Sequence, residues 1–278
     1  MLRRDPYASA MRPIAVLALV LGACTFTEAL PVETVVHDSA EVVAVVDGDT
    51  LLVAVDGREE SVRLIGVNAP ERGECLFEEA TAALADAVAD GFVGLTVDET
   101  DRDEFGRLLR YVSVMGEDIG KGLVGEGLAV ARRYPPDTAR ADDYAAAEKE
   151  AMAAGLGLWS DIPCGATAGP LHLGAIEPDA SGDDGDNPNG EWVEVVNASD
   201  EVVSLEGWGL KDESSRHRFA FPPGSTLDPG ETVRILSGCG TDTSTVLHWC
   251  ADGPVWTNSG DTAFLLAPGG AVVDRLSY

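Results

Sequence analysis

The chain changes character once, at Cys164, and that break limits it to two differently built units. Before it, strand-like and helix-like runs alternate. Residues 42–46, 50–55 and 61–67 are β-rich and are separated by the turn formers Asp47-Gly48-Asp49 and Asp56-Gly57. Residues 75–90, rich in Ala and Glu, predict a helix that Gly91 ends. Two further strands are expected over 95–100 and 110–115, and two further helices over 119–127 and 139–154. Three strands, a helix, two strands and two helices predict a small α+β barrel. After Gly165-Ala166-Thr167-Ala168-Gly169-Pro170 the helical signal stops. Short alternating runs then recur at 192–196, 201–205, 218–221, 232–236, 263–266 and 272–276, with Gly, Pro, Asn and Asp between them. This is the pattern of an antiparallel β-sandwich.

Charge narrows the function. The chain has 19 Lys and Arg against 48 Asp and Glu, a net charge of -29. By count, residues 40–164 hold 11 basic and 26 acidic side chains, and residues 165–278 hold 5 and 18, for net charges of −15 and −13. Neither half is a basic groove-binding module, because bulk attraction for phosphate is absent. Any nucleic-acid chemistry must come from a local site.

At the N-terminus, Arg3, Arg4 and Arg12 precede an apolar run from Ile14 to Leu21, followed by Leu21-Gly22-Ala23-Cys24. A positive start, a short apolar core and small residues predict a secretory signal. The run is far shorter than the roughly 20 residues of a membrane span. Leu-Gly-Ala-Cys resembles a bacterial lipobox, which implies lipid on Cys24. The expected order is a signal over 1–23, a tether over 24–40, the barrel over 41–164, a linker over 165–170 and the sandwich over 171–278. The protein is thus expected to be exported, either held at the membrane through Cys24 or secreted. Setting Cys24 aside leaves Cys75, Cys164, Cys239 and Cys250, an even number as an oxidising compartment favours. Pairing within each half, Cys75–Cys164 and Cys239–Cys250, is the simplest of three connectivities. No Cys-x-x-Cys spacing suggests zinc.

The first half carries the chemistry. Asp47 and Asp49 sit on one turn, and Arg63, Asn68, Ala69 and Glu71 follow at the end of the next strands. Carboxylates, an amide and a backbone carbonyl are the oxygen donors that a hard cation such as Ca²⁺ takes. Glu71 can hold a water as general base. Arg107 adds a second guanidinium, and two arginines beside such a site suit phosphodiester hydrolysis because they grip phosphate oxygens two-pronged.

The segment from Glu41 to Asp161 resembles the thermonuclease (staphylococcal-nuclease) family, an OB-fold barrel with added helices. The marks are VVDGDTLLV, VRLIGVNAPERGE, DEFGRLL, GKGLVGEGLAVARRYPPD and GLGLWS, in family order. The resemblance implies Ca²⁺-dependent hydrolysis of DNA and RNA by water, with release of the 5′ oxygen. It implies Asp49 as a calcium ligand with Asp47 beside it, the Ala69 carbonyl as a further ligand, Glu71 as general base, and Arg63 and Arg107 on the phosphate. Tyr134 corresponds to a tyrosine lining the nucleotide pocket. Asn68 stands where the family often has a second ligand aspartate, which implies weaker calcium binding. Glu104-Phe105 stands where the best-known members have Lys-Tyr against the terminal phosphate, so Glu104 is expected to repel it.

Residues 171–278 resemble a lamin-tail domain, an immunoglobulin-like sandwich, through GDDGDNPNGEWVEVVNAS, LEGWGLKDE, HRFAFPPGSTLDPGETVRI, VWTNSGDTAFLL and VVDRLSY. Such domains serve mostly as attachment or spacer modules, here for an unidentified partner. Asp179, Asp183, Asp184 and Asp186 read as Asx-type turns rather than a cation site. Trp192, Trp208 and Trp256 read as core. The alternative to an enzyme is a non-catalytic binding module on a barrel that has lost its site.

Overall fold

The computed structural model describes residues 38–161, 163–165 and 169–278. Cys24, the signal over 1–23 and most of the tether lie outside the described residues, as does part of the linker. In the first half the strands are β1 (Asp38–Asp47), β2 (Thr50–Val55), β3 (Arg58–Leu64) and the short β4 (Val67–Asn68), followed by helix α1 (Phe77–Ala87). Then come β5 (Phe92–Thr96), β6 (Leu108–Val114), β7 (Glu117–Asp118), α2 (Ile119–Gly125), β8 (Val130–Ala131) and α3 (Ala141–Ala154). Residues 38–40, expected in the tether, already belong to β1.

The barrel closes because β1 serves two neighbours. Its first residues pair with β5 and its later ones with β2, with register shifts between Val42 and Ala44 and between Val45 and Asp47 that bend the strand. Antiparallel pairs join β1 to β2, β2 to β3 and β5 to β6, and a parallel pairing of β3 with β6 completes the circuit. Leu51, Val53, Val62, Leu64, Val93, Leu95 and Val112 fill it. Phe77, Ala80 and Leu84, at helical spacing, turn the buried face of α1 inward. The strand expected over 95–100 instead ends at Thr96, and Glu99 and Thr100 donate their amides to Asp137 Oδ1.

The second half contains β9 (Leu171–Glu177), β10 (Trp192–Asn197), β11 (Val203–Ser204), β12 (Gly209–Lys211) and β13 (Arg218–Ala220). It continues with β14 (Thr226–Leu227), β15 (Thr232–Leu236), β16 (Val246–His248), β17 (Thr262–Leu266) and β18 (Val272–Ser277). Two four-stranded sheets, ordered β16-β15-β10-β9 and β13-β12-β17-β18, enclose a core that includes Val193, Val195, Trp208, Leu210, Ile235 and Trp256. Trp192 departs from the core expectation: it lies half-buried on the flank, with the Arg234 guanidinium 3.8 Å from its ring centre. Asp183 accepts the amide of Gly185, as an Asx-type turn does, and Asp184 reaches back to accept that of Ala180.

The two halves share an apolar seam. β17 is apolar on both faces: Ala263 and Leu265 enter the sandwich core, while Phe264 joins Trp159, Leu158, Ala151, Val130, Cys75 and Val272 in a separate cluster against the barrel. A strand covered on both faces reads as a continuous apolar run. Arg275 of β18 donates to the carbonyls of Leu158, Trp159 and Ser160. These carbonyls lie in the turn that follows α3. Disulfides join Cys75 to Cys164, with Cα atoms 5.8 Å apart, and Cys239 to Cys250.

Candidate active site

The β1–β2 hairpin places the first two carboxylates. Asp47 Oδ1 accepts the Asp49 amide at 3.1 Å, fixing the turn. Gly48 between them has a steric reason, because a Cβ there would stand 2.6 Å from Ala69 Cβ and 2.7 Å from Ala80 Cβ. That close approach sets the hairpin against α1 and the loop carrying Asn68 to Glu71. Asp49 is only 6% exposed. Its Oδ2 accepts the Ala69 amide at 2.9 Å and pairs with Arg63 Nη2 at 3.1 Å, while Oδ1 accepts the Thr50 hydroxyl. Burial pushes the Asp49 carboxyl up; Arg63 opposes this and Asp47 adds to it.

Arg63 is occupied. Nη1 donates to the carbonyls of Leu64 and Val67, and Nη2 to Asn68 Oδ1 as well as Asp49. The guanidinium expected on phosphate is therefore spent on shaping the 64–68 loop and neutralising Asp49. Asn68 is also differently employed: its oxygen faces Arg63, and its Nδ2 donates to Tyr134 Oη at 2.9 Å and to the Glu213 carbonyl of the second half at 2.7 Å. An aspartate has no donor for that carbonyl, which gives the Asn at 68 a physical reason.

Glu71 and Arg107 have free valence. The Glu71 carboxylate accepts no hydrogen bond from a described residue, and its pKa is raised by partial burial and by Asp49, with Arg218 opposing. Arg107 is held by one edge only, Nε to Asp103 Oδ2 at 2.7 Å, with its guanidinium 5.5 Å from the Phe105 ring centre. Its Nη1 and Nη2 carry no hydrogen bond to described residues. Arg63, Glu71, Arg107 and Tyr134 all line one cleft of about 610 Å³. The geometry brings the expected residues together, with Asp49 and Asn68 just behind Arg63.

The donors suit a hard cation by chemistry. Asp47, Asp49 and the carbonyl of Ala69 all offer oxygen, and Asp47 raises the pKa of both Asp49 and Glu71 while Asp49 raises that of Glu71, like-charge crowding that positive charge relieves. Among the described residues, however, no three His, Cys, Asp or Glu side chains are arranged to hold a metal. A cation here would rely on backbone, water and substrate oxygens for the rest of its shell.

A family described as "Staphylococcal nuclease homologue" matches residues 61–161, and "Lamin Tail Domain" matches residues 166–278. The thermonuclease of Staphylococcus hyicus is 32% identical over 127 residues, 44% of this chain and 75% of that protein. This chain belongs to the staphylococcal nuclease family. The micrococcal nuclease of Shigella flexneri is 38% identical over 132 residues, covering 44% of this chain and 73% of its own. Endonuclease YncB of Bacillus subtilis is 37% identical over 123 residues, 41% of this chain and 58% of that protein, so the match spans little more than half of that relative.

Other residues around this staphylococcal-nuclease site carried no sequence signal of their own. Ser214, Ser215, Arg216 and His217 of the lamin-tail half line the same cleft. Beneath them Arg132 pairs with Asp261 at 3.0 Å and lies 3.6 Å from Glu213 and 3.8 Å from Asp212. Glu74, three residues after Glu71, accepts from Lys211 Nζ at 2.7 Å and from Arg218 Nε at 2.5 Å. Glu104, expected to repel phosphate, is paired with Arg216.

Proposed function

We propose that this chain is an exported Ca²⁺-dependent nuclease that hydrolyses phosphodiester bonds of DNA or RNA. The observation that carries the reading is the pairing, in one cleft, of the Glu71 carboxylate and the outer edge of the Arg107 guanidinium, both without a hydrogen bond to described residues. Asp47, Asp49 and the Ala69 carbonyl would hold the cation. Bound Ca²⁺ supplies positive charge that polarises the scissile phosphate and favours ionised water. Arg107 donates two-pronged to the non-bridging oxygens and offsets charge as it builds there. Glu71 takes a proton from the water whose oxygen bonds to phosphorus, the phosphorus–O5′ bond breaks, and the 5′ oxygen takes a proton from solvent and leaves as the alcohol. Asp103 fixes the Arg107 plane, and Arg63 keeps the Asn68–Glu71 loop in place. Export rests on the pattern of residues 3–24, with lipid on Cys24 as the anchor. Among the described residues no helix is long and apolar enough to cross a membrane.

The test is degradation of single-stranded DNA with Ca²⁺ and with chelator, beside Glu71→Gln and Arg107→Ala. Cleavage that chelator abolishes and both variants lose supports the reading. A second reading, a non-catalytic binding module, draws on Asn68 and Arg63, whose side chains are spent on internal contacts. Folded protein that cleaves nothing at high Ca²⁺ would put that reading first.

A further inference from the structure

The lamin-tail loop that borders the cleft is built more firmly than a spacer needs. Asp212, which is fully buried, accepts the Ser214 amide and hydroxyl and holds His217 Nδ1 at 2.8 Å. Arg218 caps the carbonyls of Ser214 and His217 through Nη1, and Asn68 of the barrel holds the Glu213 carbonyl. Glu74 fixes both Lys211 and Arg218. The loop is thus anchored on both sides by groups that also position Glu71 and Asn68. What it leaves exposed at the cleft is Ser215, whose amide and hydroxyl have no partner among the described residues, and Arg216.

Arg216 is 71% exposed and meets Glu104, itself 60% exposed, from the barrel side of the cleft. An exposed ion pair contributes little stability, so it readily shares its charge with a third group. A guanidinium has five donors, enough for one carboxylate and one phosphate together. Glu104, which alone would repel nucleic acid, serves here to aim Arg216.

We propose that Ser215 and Arg216 form a phosphate subsite of the nuclease cleft, taking a backbone phosphate of a single-stranded nucleic acid next to the one cleaved. The lamin-tail half then completes the substrate site of its own chain. Phe105, which is exposed and lines the same cleft, offers a ring face for an unpaired base beside that phosphate. The subsite rests on the nuclease reading for the identity of its ligand but makes contact outside the reacting centre.

The test uses the whole chain with two readouts: initial rates on a short single-stranded oligodeoxynucleotide, and fluorescence anisotropy of the labelled oligonucleotide in chelator over a series of salt concentrations. Arg216→Ala should raise KM about tenfold, the scale of one charge-assisted phosphate contact, and leave kcat within about twofold. It should also flatten the log Kd against log salt slope by about 0.7, one phosphate on a single strand. Arg216→Glu should weaken binding further, and Arg234→Ala, an arginine on the other sheet, should match the parent chain. Unchanged KM, Kd and slope in Arg216→Ala, or an equal loss in Arg234→Ala, overturns the subsite. A parent chain that binds but does not cleave removes the nuclease reading and leaves the anisotropy to decide the subsite. A parent chain that neither binds nor cleaves overturns both.

Discussion

Glu74→Gln probes the contact that ties the active-site loop to the second half. The Glu74 and Lys211 side chains are 11% and 8% exposed, so losing the carboxylate costs nearly the full value of a buried charge-assisted bond, about 2–3 kcal/mol. Arg218 is 29% exposed and water takes over part of its contact, which adds about 1 kcal/mol. The total of about 3–4 kcal/mol matches what removing one partner from a buried pair costs, because Lys211 is left charged and unmatched. Urea unfolding at pH 7 followed by tryptophan fluorescence should show it. The pH dependence adds a second signature. Burial works to raise the Glu74 carboxyl, but Lys211 and Arg218 outweigh it and hold it below its ordinary 4.5. A depressed carboxylate contributes stability above its unfolded pKa and loses it as pH falls through the folded one. The gap between parent and variant should therefore be full at pH 6–8 and narrow as pH falls below about 4.5 toward the folded value. A pH 7 difference under about 1 kcal/mol, or one that does not begin to narrow as pH falls below about 4.5, would refute the buried-latch argument.

Three further outcomes are expected. Arg107→Lys keeps the charge but loses the two-pronged grip; kcat should fall by about 10²-fold or more, with oligonucleotide binding in chelator changing far less. Asn68→Asp places a carboxylate against the Glu213 carbonyl, so melting in chelator should show a loss of about 1–3 kcal/mol while the Ca²⁺ midpoint for activity drops. Glu148, whose carboxyl burial pushes up to about 7, binds a proton in the folded state that it loses when unfolded, so stability falls as pH rises from about 4.5 to 7 and is level above. Glu148→Gln should then be the more stable protein at pH 8, by about 1–3 kcal/mol in urea unfolding, with no difference at pH 4.

Much of the barrel was legible because each strand reports its own burial. Residues 50–55 were expected as a strand and are one, and Gly48 between two Asp marked the turn that carries Asp49. The helices shortened at their ends, 75–90 to Phe77–Ala87 and 119–127 to Ile119–Gly125, since end residues are decided by local capping more than by period. In the sandwich, β9, β12, β14 and β16 were not anticipated. β12 and β16 are three residues long, too short for alternation to stand out. At the site, the list of residue types was readable, but not their employment: the Arg63 hydrogens and the Asn68 oxygen go to each other and to neighbours.

The sequence by itself determined the two fold classes, the turn that sets Asp47 and Asp49, and the presence of Glu71 and Arg107 in a nuclease-like order. These depend on local period, turn chemistry and motif spacing, which lie within short stretches. Only the tertiary structure decided that residues 137 apart, Glu74 and Lys211, and 145 apart, Asn68 and Glu213, meet between the two halves. Such contacts depend on the shape and charge of two surfaces at once. No run of one chain segment encodes them, because each side is satisfied by water until the other arrives.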